Sequence, residues 1–566
     1  MRKYFACFAA MAFVSTVAVA QSTNPRTPLT TQSDISRQQL PYLTPFHDPD
    51  FGTYVIRVSG DNGVAAAGGD TFGSDARHHY MTENPWSRHG TYYYMQNGRG
   101  DSPAPTCTGT CKDQILNGST FGPMYSECPS FSNVAGGSAS VGDSWWSLQA
   151  NSEAVRVGET ADGKMFLYNV TTCAAVANKA WSSTFAALST GTSEAQSWNG
   201  NKQVVVKSDK KAVQIIDVST SNSGSPWSTG VGDEFDTFTA CGAPTTAGTQ
   251  CVIDWAQVSP SGNYLVISYD EYDHVRVLDI TGTTVSNHDY TIRHCSGIVN
   301  TNVCTSDANC TGADVCRPIP FVYTGCVQSQ LAKGFIFDVA HASLGPDPYD
   351  SNADVVVGAN HCSNVGSTQN GQILTELIKV KLSDASVYGF KSILAGIDPD
   401  TAIDTGFVKH VSMLAYDFTG YAFVSFTDDR PGKVFDDEIV AVRIGTPPGT
   451  VVRPNGLIVM GASHPGPNVL RYTRTHTGNA YRCEAHGVPS PNGSKIAFAS
   501  CWVAHCGAPC TRSSNTSCAS TACHYSDETA RQDFVTYSGP QMYGLWDAES
   551  LAAAPEALVY ATPGMQ

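Results

Sequence analysis

The chain has 566 residues, 41% of them hydrophobic, and carries 50 Asp and Glu against 34 Lys and Arg, a formal net charge of -16. Such an acidic surface repels nucleic acid and anionic membranes in general, and no stretch after the first twenty residues approaches the roughly 18 consecutive apolar residues of a membrane span. A chain of this length ordinarily divides into two or more domains, but a radial repeat escapes that rule because every unit adds a small sheet core of its own.

Met1-Arg-Lys is followed by the largely apolar Tyr4 to Ala20, which ends in Ala18-Val19-Ala20 before Gln21; residues 1–20 therefore read as a secretory signal peptide. Without Arg2 and Lys3 the chain keeps 32 basic and 50 acidic residues, a net charge of -18. Cysteine usage agrees with export to the periplasm or out of the cell. Cys7 leaves with the signal, and 18 of the 19 cysteines remain, an even number suited to an oxidising compartment. Most fall in three clusters: Cys107, Cys111 and Cys128; Cys295, Cys304, Cys310, Cys316 and Cys326; and Cys501, Cys506, Cys510, Cys518 and Cys523. These are expected to staple polar loop insertions by local disulfides. Structural zinc on Cys506, Cys510, Cys518 and Cys523 with His505 and His524 is the competing reading, weakened because thiolate clusters seldom survive reduced outside the cell.

Residues 21–50, rich in Ser, Thr, Gln and Pro, read as a weakly ordered leader, and residues 51–555 as one all-β domain. Tyr54 to Val58 is the first convincing strand and is expected to close a ring by joining the last sheet. Beyond it one local pattern recurs: a polar approach, a tight turn containing glycine, then a short apolar strand. Its clearest copies are Ser490-Pro-Asn-Gly493 leading into Lys495 to Ser500, Ser259-Pro-Ser-Gly262 leading into Tyr264 to Ser268, and Asp417-Phe-Thr-Gly420 leading into Tyr421 to Ser425. Weaker copies begin near Arg88, Ala161, Ser208 and Asn352. Seven copies predict a seven-bladed β-propeller with disulfide-stapled loop insertions. Between Cys304 and Cys316 the acidic residues lack the alternating oxygen pattern of an EF-hand, so a disulfide knot is expected there rather than a calcium loop.

Two groups of residues point to chemistry. Arg77, His78, His79 and Tyr80 precede the first hairpin, at the mouth of the expected channel, where they would bind an anion or move protons; a His pair at that position also suits one packed and one wet ring. His341, His410 and His486 each precede the apolar strand of a later copy. Equivalent positions on successive blades converge on the axis, so the three are expected to share one site, with Glu484 or His476, that holds a divalent ion (Zn, Mn or Ca) or an anionic sugar. No nucleotide-binding glycine loop, nucleophile elbow or haem-attachment motif is present, and no nucleotide or organic cofactor is expected.

The run Ile253-Asp254-Trp255 through Tyr264, the steps Ala340-His341-Ala342 and Lys409-His410-Val411-Ser412, Arg474-Thr475-His476, and Glu484-Ala485-His486-Gly487-Val488 through Trp502 together resemble the secreted seven-bladed propeller polysaccharide lyases. These are the ulvan lyases and, more distantly, the oligogalacturonate lyases. The resemblance implies β-elimination on an acidic, uronate-containing polysaccharide. It makes His78 or His79 the base, Tyr80 or another tyrosine at the mouth the acid, and Arg77 or Arg474 the partner of the uronate carboxylate. His89 stands where the ulvan pattern has Asp, and Glu484 and Tyr481 stand where the oligogalacturonate pattern has His and Gln. The alternative is a noncatalytic propeller that binds a glycan or another exported protein.

Overall fold

The computed structural model describes residues 40–48, 51, 53–98, 107–128, 131–134, 137–139, 143–160, 163–182, 196–210, 212–219, 253–269, 274–281, 285–288, 293–295, 303–309, 316–317, 337–360, 377–384, 387–390, 407–427, 438–445, 457–459, 469–475, 485–500 and 531–537. Those residues form an all-β propeller. The signal peptide, most of the leader and the cluster Cys501 to Cys523 lie outside them.

The units are antiparallel meanders, and in the clearest of them a glycine turn separates the first two strands. Ile253–Val258, Tyr264–Tyr269, His274–Asp279 and Ser286–Asn287 hydrogen-bond in that order, and Phe407–Ser412, Tyr421–Thr427, Glu438–Arg443 and Val469–Arg474 repeat the arrangement. The turns need a residue at positive φ, which glycine adopts without a Cβ clash. Gly262 (φ 77°) and Gly493 (φ 67°) fill that place as the motif implied.

Side chains alternate across a strand, so a sheet clad on both faces needs apolar residues at consecutive positions. In Tyr264–Tyr269, Leu265 and Ile267 face one neighbour and pack with Val204, Ile215 and Trp145. Val266 faces the other way, with Val356, Leu344 and Val380. The succession continues around the molecule: Val355 and Val357 pack on Val411 and Val424, Phe423 and Ala441 on Val55, Ile496 and Phe498, and Ile56 and Ala497 on Tyr93 and Leu116. Tyr94 and Ile115 then pack on Trp146 and Phe166, and Trp145 returns to the first cluster.

The ring is closed by hydrogen bonds as well. Thr53–Arg57 lies antiparallel to Arg531–Tyr537, pairing Tyr54 with Tyr537 and Arg57 with Phe534, and Arg531–Tyr537 pairs in turn with Lys495–Ser500. The strand expected at Tyr54 therefore completes the sheet built from the other end of the chain. Leu40, which falls in the segment read as a leader, is buried in the core, and Phe46–Asp48 pairs with Thr53–Arg57.

Seven separate four-stranded sheets were expected, and the described residues make five sheets of four or more strands instead. One of these has nine strands, because Asp75–Arg77 touches Arg531–Tyr537 through a short parallel contact that fuses two meanders. Lys202–Val206 and Val213–Asp217 pair only with each other among the described strands, as do Phe131–Val134 and Gly137–Ala139.

Neighbouring sheets are also stitched at their turns. Asp354 accepts hydrogen bonds from Ser259 Oγ (2.7 Å) and Ser261 N (3.1 Å), Asp417 N donates to Pro491 O (2.8 Å), Lys202 Nζ to Gly262 O (2.8 Å) and Lys495 Nζ to Gly118 O (3.0 Å). Lys379 is buried against Asp347 (2.6 Å) and donates to Ile444 O (2.7 Å), tying one sheet to the next. Two disulfides are formed among the described residues. Cys107–Cys111 is local, as expected. Cys128, in contrast, leaves its cluster to bond Cys173, 45 residues away, and so links consecutive meanders; closing a loop of that length contributes about 4 kcal/mol in the chain-entropy model. In the cysteine-rich insertion the backbone register sets Cys295 opposite Cys316. No helix among the described residues is long and apolar enough to cross a membrane.

Burial pushes the Lys495 ammonium down to about 8. Between there and the unfolded value of about 10.4 the unfolded chain binds more protons than the folded one, so stability rises with pH through that window and is lowered by a constant amount below it. Lys495→Met is expected to remove this rise, on the order of 2 kcal/mol in urea unfolding compared at pH 7.5 and 10.

Candidate functional site

The first strand of each meander lies nearest the axis, and its ladder is interrupted at the same level in three successive sheets. Register shifts occur between Ile253 and Trp255, between Asp338 and Ser343, and between Val408 and His410. A bulge leaves a residue unpaired and re-aims its neighbours. His341 falls within the second bulge, and His410 follows the third directly. His486 reaches the same level by another route: it precedes the short strand Val488–Pro489 and adopts φ 46°, a left-handed conformation that is strained for a residue with a Cβ.

The strain is held from three sides. His486 O accepts a hydrogen bond from His78 Nε2 (2.8 Å), Gly487 N donates to Ser425 Oγ (3.0 Å), and Ala499 N donates to Ala485 O (2.8 Å). Ser425 is itself the cross-strand partner of His410, so the backbone of one sheet is set against the inner strand of its neighbour.

The side chains then meet in sequence around the axis. The His341 and His410 rings lie 4.8 Å apart between centroids, His410 and His486 4.4 Å, Tyr80 and His486 4.6 Å, and Tyr80 and His410 5.5 Å. Arg77 Nη1 reaches His486 Nδ1 (3.4 Å) and the carbonyls of His79 (3.0 Å) and His78 (3.5 Å), and its Nε lies 3.3 Å from the buried Asp75 carboxylate. Guanidinium only donates, so Nδ1 of His486 accepts and the neutral ring carries its proton on Nε2. The Nη2 group of Arg77 has no hydrogen-bond partner among the described residues. Met81, Leu148, Leu414, Tyr416 and Val488 form an apolar cluster against which Tyr80 packs, a setting that strengthens electrostatic interactions beside it.

The sequence candidates fare differently. Arg77, Tyr80, His341, His410 and His486 come together. His78 is almost wholly buried (1% exposed), and its Nε2 donates to the backbone carbonyl of His486. His79 is part-exposed, and its Nδ1 lies 2.7 Å from Glu83 Oε1. Arg474 sits on the outermost strand of the His410 sheet, opposite Glu438 and three strand spacings, about 14 Å, from the axial strand. His89 turns its backbone N–H to Glu153 (2.9 Å) within a loop brace. Glu484, His476 and Tyr481 lie outside the described residues.

Sequence reading missed Asp75, Glu83 and Ser425. Asp75 two residues before Arg77 and Glu83 four after His79 were visible as charges, but only the folded loop shows that they are partners. Three imidazoles suit zinc or manganese by donor type, whereas calcium takes six to eight oxygens. The rings meet edge to face, and among the described residues no group of three His, Cys, Asp or Glu is set to hold a metal ion.

No protein-family model matches the chain, and no curated protein does. Among solved structures it is similar to an oligogalacturonate lyase in complex with manganese, at 8% identity over 89% of this chain and 97% of that one, with a TM-score of 0.44. It is also similar to an oligogalacturonate lyase from Vibrio parahaemolyticus, at 9% identity over 88% and 97%, TM-score 0.43. The WD40 domain of Neurospora crassa Pan2 matches at 10% identity over 83% and 90%, TM-score 0.32. Likenesses at this level assign no residue a role.

The left-handed backbone at His486 gives a direct test of strain. His486→Gly is expected to be more stable than His486→Ala by about 1 kcal/mol in thermal or urea unfolding, because only glycine relieves the Cβ clash.

Proposed function

We propose that this protein is an exported, seven-bladed propeller lyase that cleaves a uronate-containing polysaccharide by β-elimination at the axial cluster. The seven blades follow from dividing the nine-stranded sheet at its parallel contact and counting the 202–217 hairpin as the inner half of a blade. Export rests on the signal-like segment Met1 to Ala20 and is supported by the two disulfides.

The observation that carries the activity is the meeting of Arg77, Tyr80, His410 and His486 at the axis, with His79 adjoining in the chain. Elimination needs a cation against the carboxylate, a base for the adjacent carbon-bound proton, and an acid for the departing oxygen. Arg77 is held on its Nε and Nη1 side by Asp75 and the loop carbonyls, which leaves Nη2 to pair with the uronate carboxylate. His79 takes the proton beside that carboxylate. The electron pair left on carbon forms the new double bond, the glycosidic oxygen leaves, and Tyr80 gives it a proton. His410 and His486 pack on Tyr80 and fix its ring.

Purified protein should raise the absorbance at about 235 nm, where an unsaturated uronate absorbs, on ulvan, polygalacturonate, alginate or a glycosaminoglycan, tested with and without manganese. Arg77→Met, Tyr80→Phe and His79→Ala should each lower the rate by roughly 100-fold or more, and His89→Ala should leave it unchanged. Binding to one polymer with no absorbance rise under any metal condition would reject the lyase reading in favour of a binding module.

A further inference from the structure

The loop after Arg77 holds a carboxylate that the proposed reaction has not used. Glu83 is buried, with only 8% of its side chain exposed, while its partner His79 is 31% exposed, and the two meet at 2.7 Å through Oε1 and Nδ1. We infer that Glu83 is the positioning residue of His79: it sets the imidazole tautomer that can accept a proton and stabilises the imidazolium formed when it does. The inference rests on the lyase reading for its catalytic consequence but not for the pairing itself.

The geometry supports the assignment at each step. A carboxylate only accepts, so Nδ1 of His79 carries the hydrogen, and the lone pair of the neutral ring is on Nε2. On protonation both nitrogens carry hydrogen, and the positive ring stays against a fixed negative charge, as in a hydrolase triad. Glu83 is held in place independently of His79. Its backbone N–H donates to Tyr80 O (3.1 Å), and next to it Asn84 Nδ2 donates to Leu414 O (2.9 Å) and Pro489 O (3.2 Å), which anchors the loop to two segments more than 300 residues away in sequence. Asn84 Oδ1 in turn accepts from Trp86 N (2.9 Å). The charged or titratable groups seen to adjoin His79 among the described residues include Glu83 at Nδ1, Arg77 at its carbonyl oxygen, and Tyr80 next in the chain. Arg77 opposes protonation and Glu83 favours it, and the carboxylate is in direct contact with the ring.

Glu83→Gln keeps an oxygen for Nδ1–H but removes the charge, and Glu83→Ala removes both. NMR titration of the His79 ring in the full chain, assigned by its loss in His79→Ala, reads the pairing without turnover. The wild-type ring is expected in the Nε2-lone-pair tautomer when neutral, and Glu83→Gln should shift its midpoint to lower pH by about one unit. An unchanged midpoint in Glu83→Gln, or the opposite tautomer in the wild type, would overturn the assignment. In the absorbance assay Glu83→Gln should lower kcat by roughly 10- to 100-fold with little change in KM, and should move the acidic limb of the pH profile down in step with the NMR midpoint. If wild-type turnover is absent while the midpoint shifts, the pairing stands and the lyase reading fails. If turnover is present and kcat is unchanged in Glu83→Gln, the positioning role fails.

Discussion

Closure of the ring is the constraint on which the rest depends. The antiparallel ladder between Thr53–Arg57 and Arg531–Tyr537 joins segments from opposite ends of the chain, and its register is set by burial. Val55 packs toward Phe423 and Ile496, whereas Ile56 packs toward Tyr93 and Met95. A slip of one residue would exchange those faces and place each side chain in the other interface. With the ring closed, the first strand of every meander is carried to the axis, and residues hundreds of positions apart become neighbours. The contact between Arg77 and His486 exists for that reason.

Closure alone would deliver regular strands, whose side chains turn into the interfaces on either side. The axial site needs departures from regularity. They occur where the histidines are: bulges at His341 and His410, and a left-handed residue at His486. Each departure costs backbone energy, and each is held by contacts from an adjoining sheet, through Ser425 and His78 in the case of His486. The site thus depends on the sheet interfaces for its geometry, while the interfaces do not depend on the site.

Charge is arranged with the same economy. The chain is acidic as a whole, yet Arg77 is kept at the axis by buried Asp75 and by loop carbonyls, so its positive charge is presented beside an apolar cluster where screening is weak. Elsewhere buried charges serve cohesion: Lys379 with Asp347 and Arg471 with Glu438 are paired within or between sheets.

The sequence by itself determined the local units. Turns at Gly262, Gly420 and Gly493 were legible because positive φ demands glycine, and the strands after them because two-sided burial demands consecutive apolar residues. The closing strand at Tyr54 was legible for the same reason, and the axial histidines from their repeated offset before those strands. Tertiary structure alone decided which of the candidates share a site. Nothing local distinguishes His78 from His79, since adjacent side chains diverge; the fold buries the first on the carbonyl of His486 and turns the second to Glu83. Arg474 adjoins the motif in sequence, but its strand is the outermost of its sheet, and strand order within a sheet is a property of the meander rather than of the residue. Cys128 likewise lies close to Cys107 and Cys111 in sequence yet bonds Cys173, because packing between consecutive meanders sets which sulfurs come within reach.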